Sequence, residues 1–227
     1  MTPAPDKTKT LSNTHRAAEA IRQRIFSGDL PPGSDHLETE LADELGMSRT
    51  PVREAVLVLE TQGLLTVRPR KGVRILPVSP DDMEEIYEVL TALESLAAGR
   101  AAERGYSAED LADLAQAIDA MDTAIAAKDR EAWAKADDAF HRELVRLGGN
   151  SRSIEIVDRL ADQVRRARLV TLNVRPLPVK SNEDHRAVME AIARGDAEVA
   201  VARHTRHRDE ARQVLVALLK RLGLRKI

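Results

Sequence analysis

The sequence predicts a mainly α-helical protein, with an N-terminal winged helix-turn-helix and a C-terminal antiparallel bundle of six helices. Three observations predict it. Apolar residues recur at helical spacing along most of the 227 residues. One stretch, "LLTVRPRKGVRILPV", breaks that spacing and reads as two short strands around a basic turn, Pro69 to Gly72. Charged residues make up 32% and aromatics only 2%, as expected of helical bundles rich in Ala and Leu.

The elements follow in order. Residues 1–12 are polar and are expected to form a flexible arm. Residues 13–77 are expected to form the first domain. Ala17, Ala18, Ile21, Ile25 and Phe26 mark a helix that ends at Gly28. "DLPPGS" is a turn. Leu37, Leu41, Ala42 and Leu45 mark a second helix, which Gly46 stops. Ser48 or Thr50 can cap a third, with Pro51 in its first turn and Val52, Ala55, Val56 and Leu59 on its inner face.

The second domain spans 79–222 and is all helical. Ser79 and Pro80 open a helix to about Arg104. Ser107 and Asp110 form a capping-box-like start for one that reaches about Ala127. The next runs from about Asp129 to Leu147, stopped by "GGN". Another runs from Ser151 to near Leu172, before the Pro-rich "RPLPVKS". The last two cover about Asn182 to Arg194 and, capped by Asp196, the stretch to Leu222. Short loops between such helices imply antiparallel packing, and bundles place ligand and metal sites in their cores.

Several function classes drop out early. The chain has no cysteine, which excludes disulfides and thiolate metal sites. No apolar run resembles a signal peptide or a membrane span, so the chain reads as cytoplasmic. The net charge of -2 hides a local separation. Residues 29–44 hold six acidic side chains and no Lys or Arg, whereas residues 49–74 hold six basic ones against Glu54 and Glu60. A concentrated basic segment can bind phosphates even in a mildly acidic protein.

That segment has the residue types DNA docking requires. Arg49 and Arg53 lie four apart at the start of the third helix and project from one face. Ser48 and Thr50 add hydroxyl donors, while Arg68, Arg70 and Lys71 load the wing. Solvated surface charge would explain an isolated Arg pair. It does not explain the turn, the acidic-to-basic switch and the basic hairpin together. The stretch "LPPGSDHLETELADELGMSRTPVREAVLVLETQGLLTVRPRKGVRI" resembles the DNA-binding domain of the GntR family of bacterial transcription regulators, over about residues 13–76. The resemblance implies that Arg49 and Arg53 read bases and that Arg70, Lys71 and Gly72 form the wing tip. Thr39 stands where some members carry a basic residue.

In "WAKADDAFHRELVRLGGN", Asp137 and His141 share a helical face with Trp133 and Leu144. His185 lies on the face of Val188, Met189 and Ile192, and His207 on that of Ala200, Ala211, Val214 and Leu218. All four polar groups therefore point into the bundle. They suit a borderline divalent ion. The alternative is an ordinary core, with inward histidines bonded to a carbonyl or carboxylate and Asp137 paired with an Arg, and His204 is a competitor for a ligand role. "DDAFHRELVRLGGN" with "EDHRAVMEAIARGDAEVA" and a later His resembles the FCD effector domain of the FadR-like branch, over about residues 80–222. Six helices place it near the VanR-like subgroup. The resemblance implies one divalent ion per chain on Asp137, His141, His185 and His207, with zinc ahead of nickel or manganese. It also implies a small organic acid as effector. Leu90 and Leu93 stand where many such sensors have an Arg, so Arg166 or Arg168, with Trp133 as an apolar wall, are the candidates to meet that acid.

The expected function is a homodimeric transcription factor, a repressor on a palindromic operator, controlled by a carboxylate effector at the metal. A metal sensor is the runner-up. A metal-dependent enzyme fused to a DNA-binding module is disfavoured, because the ligand set lacks an extra general base.

Overall fold

The computed structural model describes residues 12–224, so the arm expected over 1–12 lies, apart from Ser12, outside the described residues. The chain divides between Leu76 and Pro77 into two compact units.

In the first unit, α1 spans Asn13–Ser27, and Ser12 caps it by accepting the His15 N–H at 3.2 Å. Helix α2 is Glu38–Leu45 and α3 is Arg49–Thr61. The strands are β1 (Asp35–His36), β2 (Leu65–Arg68) and β3 (Gly72–Ile75), antiparallel in the order β1-β3-β2. The two-residue β1 was not expected from the sequence. It pairs Asp35 with Arg74 and His36 with Val73, and two residues are too few to show a period of two. Ile21, Leu41, Val52, Val56, Leu59 and Val73 are among the buried side chains that form the core. Gly72 turns the wing with φ +80°, and any Cβ there would run into the His36 carbonyl. Only glycine fits.

The second unit consists of α4 (Pro80–Glu103), α5 (Ala112–Ala127), α6 (Arg130–Gly148), α7 (Ser151–Thr171), α8 (Val179–Ala193) and α9 (Ala197–Arg221). Caps set most of the starts. Ser79, Asp129, Asn150 and Asp196 accept N–H groups of the first turns of α4, α6, α7 and α9. The Ser107–Asp110 box does form, but it closes a turn, and α5 proper begins at Ala112. Helix α8 starts three residues before the expected Asn182, with Pro178 as its N-cap residue. A proline there donates no N–H and so leaves none orphaned.

Helix α4 packs along α9 and across α6. The crossing with α6 is close because Gly148 has no side chain; a Cβ on it would lie 2.6 Å from the Ala97 Cα. This approach brings the buried face of α4 over the middle of α6. Among the described residues, no helix is long and apolar enough to cross a membrane.

Candidate metal centre

Asp137 and His141 lie one turn apart on α6, His185 on α8 and His207 on α9, all of them buried. Each offers one ligand atom, and the four atoms lie within 4.8 Å of one another. Asp137 Oδ1 is 3.5 Å from His185 Nε2, and Asp137 Oδ2 is 3.7 Å from His141 Nε2. The His185 and His207 rings are 4.3 Å apart between centroids.

The back of the set is held by other groups. Arg168 of α7 hydrogen-bonds Asp137 Oδ2 and reaches Asp138 Oδ1 at 3.3 Å. His141 Nδ1 lies 3.0 Å from Glu94 Oε2 on α4, a close contact off the hydrogen-bond axis. His207 Nδ1 lies 3.8 Å from Asp184 Oδ2. What remains toward the common centre is Asp137 Oδ1 and the Nε2 atoms of His141, His185 and His207. None of these buried atoms has a hydrogen-bond partner among the described residues. Orphaned buried donors and acceptors are costly, and four of them converging on one point fit a divalent ion. Three imidazoles and one carboxylate match a borderline ion such as zinc.

Charge favours the ligating forms. Burial alone would raise the Asp137 carboxyl, but neighbouring positive charge, foremost the Arg168 guanidinium, holds it well below the usual carboxylate range. Burial pushes the His185 and His207 imidazoles down, so they stay neutral and able to ligate.

His204 takes a different role. Its Nδ1 meets Ser95 Oγ at 3.0 Å and its Nε2 faces Glu94 Oε2 at 3.4 Å. Glu94, His141 and His204 are close enough to form a second three-residue set. Arg208 Nε also stands 3.4 Å from Glu94 Oε2, however, and supplies the positive charge. We read that set as a support behind His141. Sequence reasoning gave Glu94 no role in the site, although a carboxylate among Leu90, Ala97 and Ala98 on an otherwise apolar face was the available signal. Outer-shell carboxylates of this kind tune ligand orientation and basicity. Glu94→Gln should therefore weaken metal binding about 10–100-fold, read by competition with a chromophoric chelator, with helical content retained. Unchanged affinity would leave Glu94 as no more than the counter-charge of Arg208.

A cavity of about 180 Å³ borders the set; Trp133, Asp137, Arg168, Arg175, Leu177 and His207 are among its lining residues. The Trp133 indole N–H donates to Asn182 Oδ1 at 2.8 Å, which fixes the ring at the cavity wall. Arg166 is buried but is not among the lining residues. It sits two positions from Arg168, roughly 200° around a helix with 3.6 residues per turn, so the two cannot face one chamber. Leu90 lines a smaller space beside Glu94 and His141.

In the first unit, Ser48, Arg49, Thr50 and Arg53 are exposed at the start of α3, and Arg70 and Lys71 are exposed at the wing tip. Ser48 caps α3 by position, without a side-chain hydrogen bond. Arg68 differs: Asp35 on β1 holds its guanidinium at 3.0 and 3.2 Å and also pairs with Arg74.

Comparison with known proteins agrees with this layout. A family model described as "Bacterial regulatory proteins, gntR family" matches residues 13–75, and one for the FCD domain matches residues 85–210. An HTH-type transcriptional regulator in the TAR-I ttuE-ttuC' intergenic region of Agrobacterium vitis is 44% identical over 144 residues, covering 63% of this chain and 84% of that one. A Paenarthrobacter nicotinovorans protein named "Probable D-xylose utilization operon transcriptional repressor" is 32% identical over 203 residues, 88% of each chain. Among solved structures, E. coli McbR/YncC aligns with a TM-score of 0.77 at 22% identity, over 91% of this chain and 98% of that one. That likeness bears on the fold alone.

Proposed function

We propose a mode of action for a chain that belongs to the gntR family of bacterial regulatory proteins, carries an FCD domain and is a DNA-binding transcriptional regulator. It acts as a homodimeric repressor whose operator affinity is lowered by a small organic acid bound at a divalent ion. The observation that carries this reading is the convergence of four partnerless ligand atoms beside a cavity with cationic and aromatic walls. Asp137, His141, His185 and His207 would hold the ion, zinc before nickel or manganese. A bound ion supplies a Lewis acid able to take a carboxylate oxygen. Arg168 positions Asp137, Glu94 positions His141, and Trp133 closes the apolar side. At the other end, Arg49 and Arg53, with Ser48 and Thr50, read bases and phosphates, while Arg70 and Lys71, just before Gly72 at the wing tip, meet the backbone. Two such heads on one dimer call for a palindromic operator. Coupling then amounts to a difference in effector affinity between DNA-competent and DNA-incompetent dimers.

Operator binding, measured with metal-loaded, chelator-dialysed and acid-supplemented protein, tests the scheme. The effector reading requires that loaded protein binds operator and that an organic acid releases it. Release or recruitment by metal alone would make the ion the signal.

The single tryptophan gives a second readout. Trp133 precedes Asp137 by one turn and lines the same cavity. Replacing the ion with Cu(II) or Co(II) should quench its emission, and the effector should shift it. His141→Ala should abolish the metal response while helical circular dichroism stays intact. Emission indifferent to metal exchange, in protein shown to contain the ion, would refute the shared cavity.

A further inference from the structure

The cavity beside the ligand set is lined by one cation that is in no ion pair among the described residues. Lys180 is matched by Asp184 at 3.3 Å and by Glu210. Arg168 is matched by Asp137 and Asp138. Arg175 lines the same space, yet no carboxylate of the described residues stands within ion-pairing distance of its guanidinium. Its backbone is fixed: the Arg175 N–H donates to the Thr171 carbonyl at 3.1 Å, and Arg130 Nη2 donates to the Arg175 carbonyl at 3.3 Å. Its side chain is half-buried, and burial lowers its pKa. A partly buried cation is better satisfied where an anion meets it.

We propose that the effector is a small dicarboxylic acid, with one carboxylate at the metal-ligand set and the other on Arg175. This rests on the organic-acid reading above and goes further by fixing the charge of the ligand. Asp137 is already paired with Arg168, so a divalent ion on this set keeps positive charge of its own, and Arg175 adds a separate cation on the same cavity. A monocarboxylate held at the ion leaves Arg175 without a counter-ion. Planar Arg also presents paired donors that fit a carboxylate edge. Between the two ends, Trp133, Leu177 and Val214 offer apolar wall to a short carbon chain.

Calorimetric titration of the zinc-loaded full chain with matched acids tests this. The pairs are butanoate against butanedioate, pentanoate against pentanedioate, and 2-hydroxybutanoate against malate. In at least one pair the dianion should bind about tenfold or more tightly than its monoanion, the gain expected of one charge-assisted hydrogen-bonded contact. Arg175→Gln should erase that advantage while zinc content and monoanion affinity stay at wild-type values. Equal affinities across every pair would overturn the proposal, as would a dianion preference that survives in Arg175→Gln. If neither class binds to protein shown by elemental analysis to hold zinc, the organic-acid reading fails, and this one with it. Monoanion binding without dianion preference defeats this proposal alone.

Discussion

Asp137→Asn protein will purify with almost no divalent ion and will unfold well before wild type. The substitution preserves shape, so a packing defect is not the cause. It removes the one anionic ligand of the set and also the carboxylate that neutralises Arg168, which is only 5% exposed. Breaking a buried ion pair by removing one partner leaves the other charge enclosed and costs about 3–5 kcal/mol. Asp138 is the weaker substitute: it also reaches Arg168, at 3.3 Å, but burial raises its carboxyl. His141→Ala and His207→Ala should each lower ion content without exposing a lone charge, so they should lose less stability. His204→Ala should keep its ion, since its nitrogens face Ser95 and Glu94. Elemental analysis and thermal unfolding decide the matter. A full ion complement in Asp137→Asn would reduce the constellation to an ordinary polar core.

How far the sequence could announce this arrangement depends on which interactions are local. The four ligand candidates were legible because each obeys a helical period with apolar neighbours, as His185 does with Val188 and Ile192. Helix phase is local information. The contact between Glu94 and His141 is not local: it depends on where α4 crosses α6, and that crossing is set by the absent side chain at Gly148 meeting Ala97. No periodicity within either helix encodes it. Arg175 escaped notice for a related reason. It lies in an irregular segment whose course is set by hydrogen bonds to Thr171 and Arg130, so its facing could not be read from spacing. The choice between Arg166 and Arg168 was in principle local. Residues two apart on one helix cannot share a face, but only the packed neighbours say which of the two faces the cavity. In the first unit the unexpected β1 has the same origin. Its pairing with β3 is a tertiary event, and Asp35 there removes Arg68 from the pool of free wing cations.

That last contact sharpens the expected DNA-binding result. Arg53→Ala should weaken binding to the operator by about 1–3 kcal/mol and relax discrimination at one base position. Arg53 is exposed on the outer face of α3. The neighbouring Glu54 carboxylate accepts from the Thr14 hydroxyl at 2.5 Å. Lys71→Ala should weaken all sequences alike and reduce the salt slope by about one unit, as the loss of one phosphate contact would. Arg68→Ala should do less than either. Before Arg68 can serve a phosphate it must leave Asp35, which it contacts through two oxygens, and its removal also frees an acidic group beside the backbone. Asp35→Ala should then act in the opposite sense, strengthening non-specific binding by releasing Arg68 and Arg74 together. Fluorescence anisotropy on operator and scrambled duplexes, at several salt concentrations, separates these effects. If Arg53→Ala binds operator as tightly as wild type while Arg68→Ala does not, recognition runs through the wing, and α3 is not the reading helix.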